Sequence, residues 1–313
     1  MRWGVIGQGR TGRYHLERLS LREDSRCVAV CDVDGSLAAL VEHRRIPLQT
    51  SLDGFLSHAD FDVVLIALPA SVRRDACVRA CLAAGQHVIV QNPLAFEAAI
   101  ADELLATAAR PAGSLHVVAP RRGDSEFRTA KSMVTSGRLG TIVSAEILVR
   151  QFAPRRDPPV NEPSEVWQLL ADRVDQLLEW MPAPNGRVLA HEGQSRWGHE
   201  TDRCSLQIEF EVGALARIEI DLASLTPLTT GWMLQGTDGG FAGGRFCRAT
   251  EEEEFVSSPV DPLPSELDVL YDDVVRAIRS HASSEISNAH ARREAAILSA
   301  ARESIRRGDW ARF

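Results

Sequence analysis

The N-terminal third of the chain alternates short apolar runs with segments of helix-like spacing. Strand-like runs cover residues 3–6, 27–31, 61–68, 87–90 and 115–118, and helix-like segments cover residues 10–21, 71–84 and 96–110. The run from Phe61 to Leu68 is almost continuously apolar, which is typical of a strand buried in a parallel sheet. Successive strand–helix units with short connections predict a doubly wound parallel sheet. We therefore expect a Rossmann-type α/β domain over residues 1–120.

The remainder of the chain has a different pattern. Strand-like alternation covers residues 141–152, 187–197, 203–212, 214–224, 231–236 and 240–248, and helix-like segments cover residues 164–181, 267–282 and 289–307. Gly213 marks a hairpin between two of these strands. Consecutive strands without intervening helices predict a large open sheet of mixed or antiparallel type. We therefore expect a C-terminal α+β domain over residues 121–313.

The first predicted strand runs into a glycine-rich turn that reads Gly7-Gln8-Gly9-Arg10-Thr11-Gly12, and a helix follows it. In this strand–turn–helix context the spacing predicts a dinucleotide site. Gly7 permits a tight turn, Gly9 lets the backbone approach a pyrophosphate, and Gly12 allows the helix to pack closely on the strand. The diphosphate would rest on the N–H groups at the helix start. Taken alone, the hexad leaves a glycine-rich turn without a ligand as an alternative.

The end of the second predicted strand makes the dinucleotide site the better interpretation. Asp32 follows this strand, 20 residues after Gly12. A carboxylate at this place accepts hydrogen bonds from the adenosine ribose hydroxyls. It also repels a 2′-phosphate, and the nearest basic residues, Arg44 and Arg45, lie further along the chain. The sequence therefore predicts NAD as the cofactor and makes NADP the less favoured choice.

Composition narrows the class of partner. The net charge of −8 argues against nucleic acid and anionic membranes, because both attract basic surfaces. No apolar run approaches the length of a membrane span, and the N-terminus does not have the pattern of a signal peptide. The six cysteines form neither a Cys-x-x-Cys motif nor a Cys/His cluster, so we expect buried thiols and no metal. These features predict a cytoplasmic protein with a small-molecule ligand.

Several motifs together resemble the Gfo/Idh/MocA oxidoreductases. They are the glycine turn, the strand that ends at Asp32, Ala-Leu-Pro at 67–69, Ala-Gly-Gln-His-Val at 84–88, and the pair formed by residues 127–131 and 136–140. The resemblance implies a Rossmann domain followed by a domain whose open sheet covers the active site and forms a homodimer or tetramer. It implies hydride transfer between a nicotinamide cofactor and a sugar, inositol or related carbonyl compound. The implied cofactor-binding residues are Gly7, Gly9, Arg10, Thr11, Gly12, Asp32, Pro69, Gln91 and Pro93.

Two departures from the family pattern affect the expected chemistry. The family usually has Glu-Lys-Pro after the strand that corresponds to residues 87–90 here, with the lysine beside the nicotinamide and the substrate oxygen. This chain has Gln91-Asn92-Pro93 at that place. The carboxamide of Asn92 can bind a substrate hydroxyl, but it exchanges no proton near neutral pH and adds no positive charge to stabilise an alkoxide.

The second departure lies on the helix predicted over residues 164–181. The family usually shows Asp-x-Gly-x-His-x-x-Asp there, and its histidine transfers a proton. This chain has Asp172 at the histidine position and retains the last aspartate as Asp175. Residues three apart share a helix face, so two carboxylates there could include one of raised pKa that acts as an acid or base. The alternative is two exposed acids beside Arg173 on an amphipathic helix.

These observations leave more than one function open. The first is an NAD-dependent oxidoreductase with altered proton transfer, for which Asn92, Asp172 and Asp175 are the candidate catalytic residues and Arg121 a further substitute. The alternative is a non-catalytic NAD-binding sensor or regulatory protein on the same fold. A third interpretation keeps the fold and places non-redox sugar chemistry beside a tightly held nicotinamide.

Overall fold

The computed structural model describes the chain except for residues 8, 33–34, 58–59, 110–112, 154–162, 182–184, 199, 253, 267, 281 and 283. The chain forms two compact units. The first comprises residues 1–95, 99–119 and 268–292, and the second comprises residues 96–98, 120–267 and 293–313. The chain passes from one unit to the other at residue 120, next to the expected boundary. The segment 268–292, however, belongs to the first unit, although the sequence placed it in the C-terminal domain.

The first unit contains a parallel sheet of six strands among the described residues, in the order β3-β2-β1-β4-β5-β6. This is the strand order of a doubly wound Rossmann fold, as predicted. The strands are β1 Arg2–Gly7, β2 Arg26–Cys31, β3 Leu48–Gln49, β4 Val63–Ala67, β5 His87–Gln91 and β6 Leu115–Val118. The helices are α1 Gly9–Ser20, α2 Ala38–His43, α3 Leu52–Ser57, α4 Val72–Ala83, α5 Ala98–Ala108 and α8 Val269–Ser280.

Local sequence explains how several of these elements begin and end. All five residues of β4 are buried, in keeping with its apolar sequence. Ser71 caps α4 by accepting a hydrogen bond from the backbone N–H of Arg74, and Gly85 follows the helix at a φ of 77°. The short elements α2, β3 and α3 were not predicted, because two to six residues are too few to show a period.

The core of the first unit explains why it includes segment 268–292. Apolar residues of α8 lie in one buried cluster with residues of the sheet and of α1. Tyr271 and Val274 are completely buried there. The cluster consists of Trp3, Val5, Leu16, Leu19, Val30, Leu37, Val41, Val63, Leu65, Ile89, Val118, Tyr271, Val274 and Val275. Helix α8 therefore completes the core of the first unit.

The second unit is built on a large mixed sheet, as predicted, which has ten strands among the described residues. Its path is β15-β14-β13-β12-β7-β10-β9-β8-β16, with β11 paired to β7, and β10 runs parallel to β7. The strands are β7 Ile142–Phe152, β8 Gly186–Gly193, β9 Arg203–Phe210, β10 Leu215–Asp221, β11 Ala223–Thr229, β12 Met233–Gly236, β13 Gly240–Ala242, β14 Arg245–Ala249, β15 Phe255–Pro259 and β16 Ala311–Arg312. The helices are α6 Ser125–Thr135, α7 Glu165–Leu178 and α9 Asn288–Arg307, the last of which begins in the first unit.

Two features of this sheet differ from the predicted pattern. The predicted strand over residues 240–248 is two strands, because Gly243 and Gly244 turn the chain at φ values of 56° and 70°. Strands β11, β15 and β16 were not predicted as separate strands. The Gly213 hairpin is confirmed, with a φ of 86°. Helix α7 packs against β9 and β10. No helix in the described part of the chain is long and apolar enough to cross a membrane.

Candidate functional site

The glycine turn joins β1 to α1 with very little space between its backbone segments. A Cβ atom on Gly7 would lie 3.1 Å from the Cα of Gly12, and one on Gly12 would lie 2.9 Å from the Cδ1 of Leu37. Side chains at these two positions would push the start of α1 away from β1. Thr11 is exposed at the helix start, whereas Gln8 and the side chain of Arg10 lie outside the described residues. The close-packed turn at the positive end of a helix fits a pyrophosphate group.

Asp32 lies at the end of β2 and is held in one orientation. Its side chain is buried, and its Oδ2 accepts hydrogen bonds from the backbone N–H of Leu37 at 2.6 Å and from the hydroxyl of Ser36 at 3.1 Å. Leu37 in turn lies against Gly12. The carboxylate is therefore tied to the same local structure that packs on the glycine turn.

The other predicted cofactor residues lie at the same edge of the sheet. Strands β1, β2, β4 and β5 are parallel, and their carboxyl ends lie within one residue of one another in register. Asp32, Pro69 and Gln91 therefore come at or just after carboxyl ends of neighbouring strands, as does the glycine turn. Ligands of open α/β sheets bind at this edge. The fold brings these residues together, and as a set they fit a dinucleotide.

Asn92 lies in a buried turn after β5 that is fixed by a residue the sequence analysis missed. The side chain of Arg74, on α4, is almost completely buried. Its guanidinium donates to the carbonyls of Gln91 at 3.0 Å, Pro93 at 2.7 Å and Leu94. The backbone N–H of Asn92 donates to the carbonyl of Val118 at 2.9 Å. The turn that contains Asn92 is thus bonded from both sides. A lone arginine on a helix gives no local signal of this role.

Removal of the Arg74 side chain should destabilise the first unit, because it leaves three buried carbonyls without their charged donor. We expect Arg74→Ala to lower the free energy of unfolding by about 2–4 kcal/mol. Arg74→Lys should recover part of the loss, since an ammonium can still donate. Arg73→Ala, at the exposed neighbouring position, should change the free energy of unfolding by no more than about 0.5 kcal/mol. Urea unfolding measures all three, and equal stability of the two alanine variants would contradict the assignment.

In the second unit, Asp172 and Asp175 each form an ion pair with one of two consecutive arginines. Arg121 donates its Nε–H to Oδ2 of Asp172 at 2.9 Å. Arg122 binds both carboxylate oxygens of Asp175 at 2.8 Å. Both aspartates are buried, so the interpretation as exposed acids is wrong. The large apolar content of α7 did not reveal this, because both arginines lie about 50 residues earlier in the chain.

The two aspartates differ in their electrostatic surroundings. Burial raises the pKa of Asp172 to about 6, although the charges of Arg121 and Arg173 oppose the rise. The side chain of Arg121 is 41% exposed, so this pair is open to solvent on one side. Asp175 has no exposed side-chain surface, and its partner Arg122 also binds Glu179 at 2.7 Å. Asp172 is therefore suited to exchange a proton near neutral pH, whereas Asp175 belongs to a closed network.

A buried glutamine connects this helix to the arginine pair. Gln176 donates to the backbone carbonyl of Arg121 at 3.0 Å. Its Oε1 accepts from Arg173 at 2.8 Å and from the indole of Trp232 at 3.0 Å. These bonds fix the backbone from which Arg121 reaches Asp172. The sequence analysis did not identify Gln176, since its partners come from separate parts of the chain.

The cysteines and histidines of the described residues form no metal site. No group of three or more His, Cys, Asp or Glu side chains in that part of the chain could hold a metal ion. The six cysteines are free thiols. Burial raises the pKa of Cys27 to about 12 and that of Cys31 to about 11, so these thiols are held protonated.

Comparison with known proteins agrees with this geometry. Residues 1–118 match the family model described as "Oxidoreductase family, NAD-binding Rossmann fold". The uncharacterized oxidoreductase YrbE of Bacillus subtilis is 28% identical over 69% of this chain and 65% of its own length. Inositol 2-dehydrogenase of Rhizobium meliloti is 27% identical over 51% of this chain and 48% of its own length. The chain thus spans less than two thirds of the length of these relatives.

The similarity in fold extends over both units. The WlbA dehydrogenase of Bordetella pertussis, solved in complex with NADH and UDP-GlcNAcA, superposes with a TM-score of 0.82 at 20% identity, covering 100% of this chain and 97% of that one. At this identity the likeness concerns the fold alone. The resemblance drawn from the motifs is supported by the family model that matches residues 1–118. Residues 1–118 of this chain, which form the six-stranded parallel sheet, are thus similar to the NAD-binding Rossmann domain of the Gfo/Idh/MocA oxidoreductases.

Proposed function

We propose that this protein is an NAD-dependent oxidoreductase that acts on a sugar, an inositol or a related polyol or carbonyl compound, with altered proton-transfer residues. The observation that most supports it is the alignment of the glycine turn and the fixed carboxylate of Asp32 at one edge of the parallel sheet. The name of the Rhizobium relative supports a polyol substrate. A substrate panel of inositols and sugars, followed by NADH absorbance, tests the proposal.

Six of the predicted residues have an assigned role toward the pyrophosphate, the adenosine ribose or the nicotinamide. The start of α1, with Gly7, Gly9 and Gly12, would hold the pyrophosphate through backbone N–H groups. Asp32 would bind the adenosine ribose, and Gln91 and Pro93 would lie at the nicotinamide end. The nicotinamide, when bound, supplies the hydride acceptor. The chain itself contributes orientation and the exchange of a proton.

The fixed carboxylate of Asp32 favours NAD over NADP. A 2′-phosphate at this place would meet a buried negative charge, and repulsion is strong where water is scarce. Arg44 donates to the carbonyl of Leu16 at 2.8 Å, which directs its guanidinium to the end of α1. Arg45, the neighbouring cation, adopts a left-handed φ of 54° in the turn after α2.

Removing the charge of Asp32 should narrow this preference. Asp32→Asn retains an oxygen that can accept from the N–H of Leu37 but has no charge to repel a phosphate. We expect the parent to bind NADH more tightly than NADPH. In Asp32→Asn, the dissociation constant of NADPH divided by that of NADH should fall about tenfold or more. Asp32→Ala should also lower this ratio, and it should destabilise the turn after β2, because the hydrogen bonds to Ser36 and Leu37 are lost. Fluorescence titration measures the constants, and equal affinity of the parent for both cofactors would sink the assignment.

Asp172 is the best candidate for the proton step. A raised pKa near 6 matches an acid or base that works near neutral pH. The guanidinium of Arg121 places a positive charge beside it. Asn92 would then bind and orient a substrate hydroxyl through its carboxamide.

The alternative function is a non-catalytic NAD-binding sensor or regulatory protein. Two features favour it: Asn92 exchanges no proton, and Asp172 is engaged in an ion pair. A parent protein that binds NADH but reduces no cofactor with any member of the substrate panel would support this alternative over the enzyme.

A homodimer or tetramer through the C-terminal sheet also remains a prediction, as does a cytoplasmic location. The open face of the sheet contains charged residues that would need partners if a second copy covered them. Arg187 binds Glu209 at 2.6 Å, and Arg217 and Arg150 bind Glu219 at 2.8 and 2.7 Å. Because these charges are already neutralised within the sheet, the face suits burial by a second copy. Analytical ultracentrifugation tests the oligomer.

A further inference from the structure

One edge of the sheet in the second unit contains a pocket that the proposed function does not use. The pocket has a volume of about 550 Å³, which is within the range of pockets that hold small ligands. It lies where the turn between α6 and β7 and the turn between β12 and β13 meet strands β14 and β15. Its lining includes Arg138, Asp238, Phe246, Arg248, Val256 and Ser258. All of these residues belong to the second unit, and none has a proposed role toward the cofactor or the proton.

Two glycine-containing turns form one wall of this pocket. The backbone N–H of Asp238 donates to the carbonyl of Leu139 at 3.0 Å, which joins the two turns. Gly140 has a φ of 69°, and a Cβ atom on it would lie 2.6 Å from Oδ2 of Asp238. The carboxylate therefore lies directly against this turn. Residues 136–140, one of the motifs noted in the sequence, thus help to build the pocket.

Arg138 is held in place over an aromatic ring. Its guanidinium carbon lies 3.9 Å from the ring centroid of Phe246, which is buried. Such stacking leaves the N–H groups at the rim of the guanidinium able to donate. Within the described residues, the side chain of Arg138 forms no hydrogen bond and no ion pair. It therefore offers donors from a fixed plane.

A second arginine, Arg248, lies on β14 and lines the same pocket. Phe246 and Arg248 share one face of the strand, and Val256 on β15 is the cross-strand partner of Arg248. The side chain of Arg248 also forms no hydrogen bond or ion pair with the described part of the chain. By contrast, Arg245 lies on the opposite face of β14, and its guanidinium donates to the hydroxyl of Ser257 at 2.6 Å. Only the arginines of the pocket face thus have unused donors on this strand and its neighbouring turn, among the described residues.

We propose that this pocket binds a phosphate ester of a sugar or polyol, as a second ligand site beyond the proposed function. A phosphate monoester has three terminal oxygens, enough for two guanidiniums that each donate through paired N–H groups, whereas a carboxylate has two. The glutamates at 251, 252 and 254 follow Arg248, but within the described residues they form no ion pair with either arginine.

The remaining lining residues determine the rest of the ligand. Asp238 accepts hydrogen bonds, so it suits hydroxyl groups and would repel a second anionic group. The side chain of Val256 is 37% exposed and can contact a carbon skeleton. A ligand with one phosphate and several hydroxyl groups satisfies both the arginines and the aspartate.

Isothermal titration calorimetry with glucose 6-phosphate, glycerol 3-phosphate and myo-inositol 1-phosphate tests the proposal. For the ester that binds the parent most tightly, Arg248→Gln and Arg138→Gln should each weaken binding about tenfold or more, because a charged donor is lost. Arg245→Gln is the matched control, since it removes the same charge from the opposite face of β14, and its affinity should stay within about threefold of the parent. Glucose and inorganic phosphate should each bind more weakly than glucose 6-phosphate.

Several results would overturn this assignment. They are binding of none of the three esters, equal affinity of the parent, Arg248→Gln and Arg138→Gln, or inorganic phosphate that binds as tightly as the esters. Arg121→Gln separates the pocket from the proton-transfer residues, and loss of ester binding in that variant alone would place the ester elsewhere. If the parent reduces no cofactor with any polyol but binds an ester through Arg138 and Arg248, the proposed function fails and this inference stands.

Discussion

Asp175→Asn should lower the free energy of unfolding of the second unit by about 3–5 kcal/mol, because it leaves a buried guanidinium facing an amide. Asp175 has no exposed side-chain surface, and Arg122 binds both of its oxygens. Glu179 remains as a second partner of Arg122, at 2.7 Å, so we expect the lower end of this range. Urea unfolding followed by tryptophan fluorescence measures the change, since most of the tryptophans belong to the second unit.

Asp172→Asn is the matched control, since both acids lie on α7 and pair with consecutive arginines. Arg121 is 41% exposed, so water can replace the lost carboxylate. The pKa of Asp172 in the folded protein, about 6, lies above its ordinary value of 3.8. The folded state therefore binds a proton more readily than the unfolded state, and stability falls as the pH rises through that window. Asp172→Asn lacks this dependence, so its stability relative to the parent should rise between about pH 4 and pH 6 and then level off.

A loss in Asp172→Asn as large as in Asp175→Asn would contradict this distinction. The two acids would then have equivalent structural roles, and Asp172 would be a poor candidate for proton transfer. A large loss confined to Asp175→Asn instead leaves Asp172 as the titrating member of the pair.

The sequence predicted the fold of the first unit well because its signals are local. The glycine spacing, the apolar strand before it and Asp32 all lie within about 30 residues. Each follows from the conformation of a single turn or strand end, so no knowledge of distant contacts was needed. The alternating strands of the second unit were predictable for the same reason, since one face of each is buried and the period is two.

The features that the sequence did not predict are contacts between distant segments of the chain. Arg121 and Asp172 are separated by 51 residues, and His15 and Tyr271 by 256, so no periodicity relates them. Helix α7 shows the limit clearly. Its pattern was consistent with Asp172 and Asp175 as exposed acids on a polar face. Both are buried, because Arg121 and Arg122 from another part of the chain neutralise them. Amphipathic spacing shows which residues share a face and not what covers that face.

The largest gain in activity should come from restoring the family residues at positions 92 and 172. General acid–base catalysis contributes about 10²- to 10⁴-fold, so the parent should turn over polyols slowly, and Asn92→Lys with Asp172→His should recover much of this factor. A lysine at the buried position 92 would have a lowered pKa, which suits proton exchange. Each single variant should gain less than the pair. NADH binding should be unchanged, because the glycine turn and Asp32 are untouched.

The structure sharpens this experiment in two ways. The histidine would replace the ion-pair partner of Arg121, whose positive charge would lower the histidine pKa. Asp172→His with Arg121→Gln should therefore show its activity limb at higher pH than Asp172→His alone. Asn92→Met with Asp172→His is the control for the lysine, since methionine fills the space without a proton. If the parent already oxidises such substrates at ordinary rates, the two substitutions are not what limits it. Asp172 then transfers the proton itself, and Asp172→Asn should abolish turnover while leaving NADH binding intact.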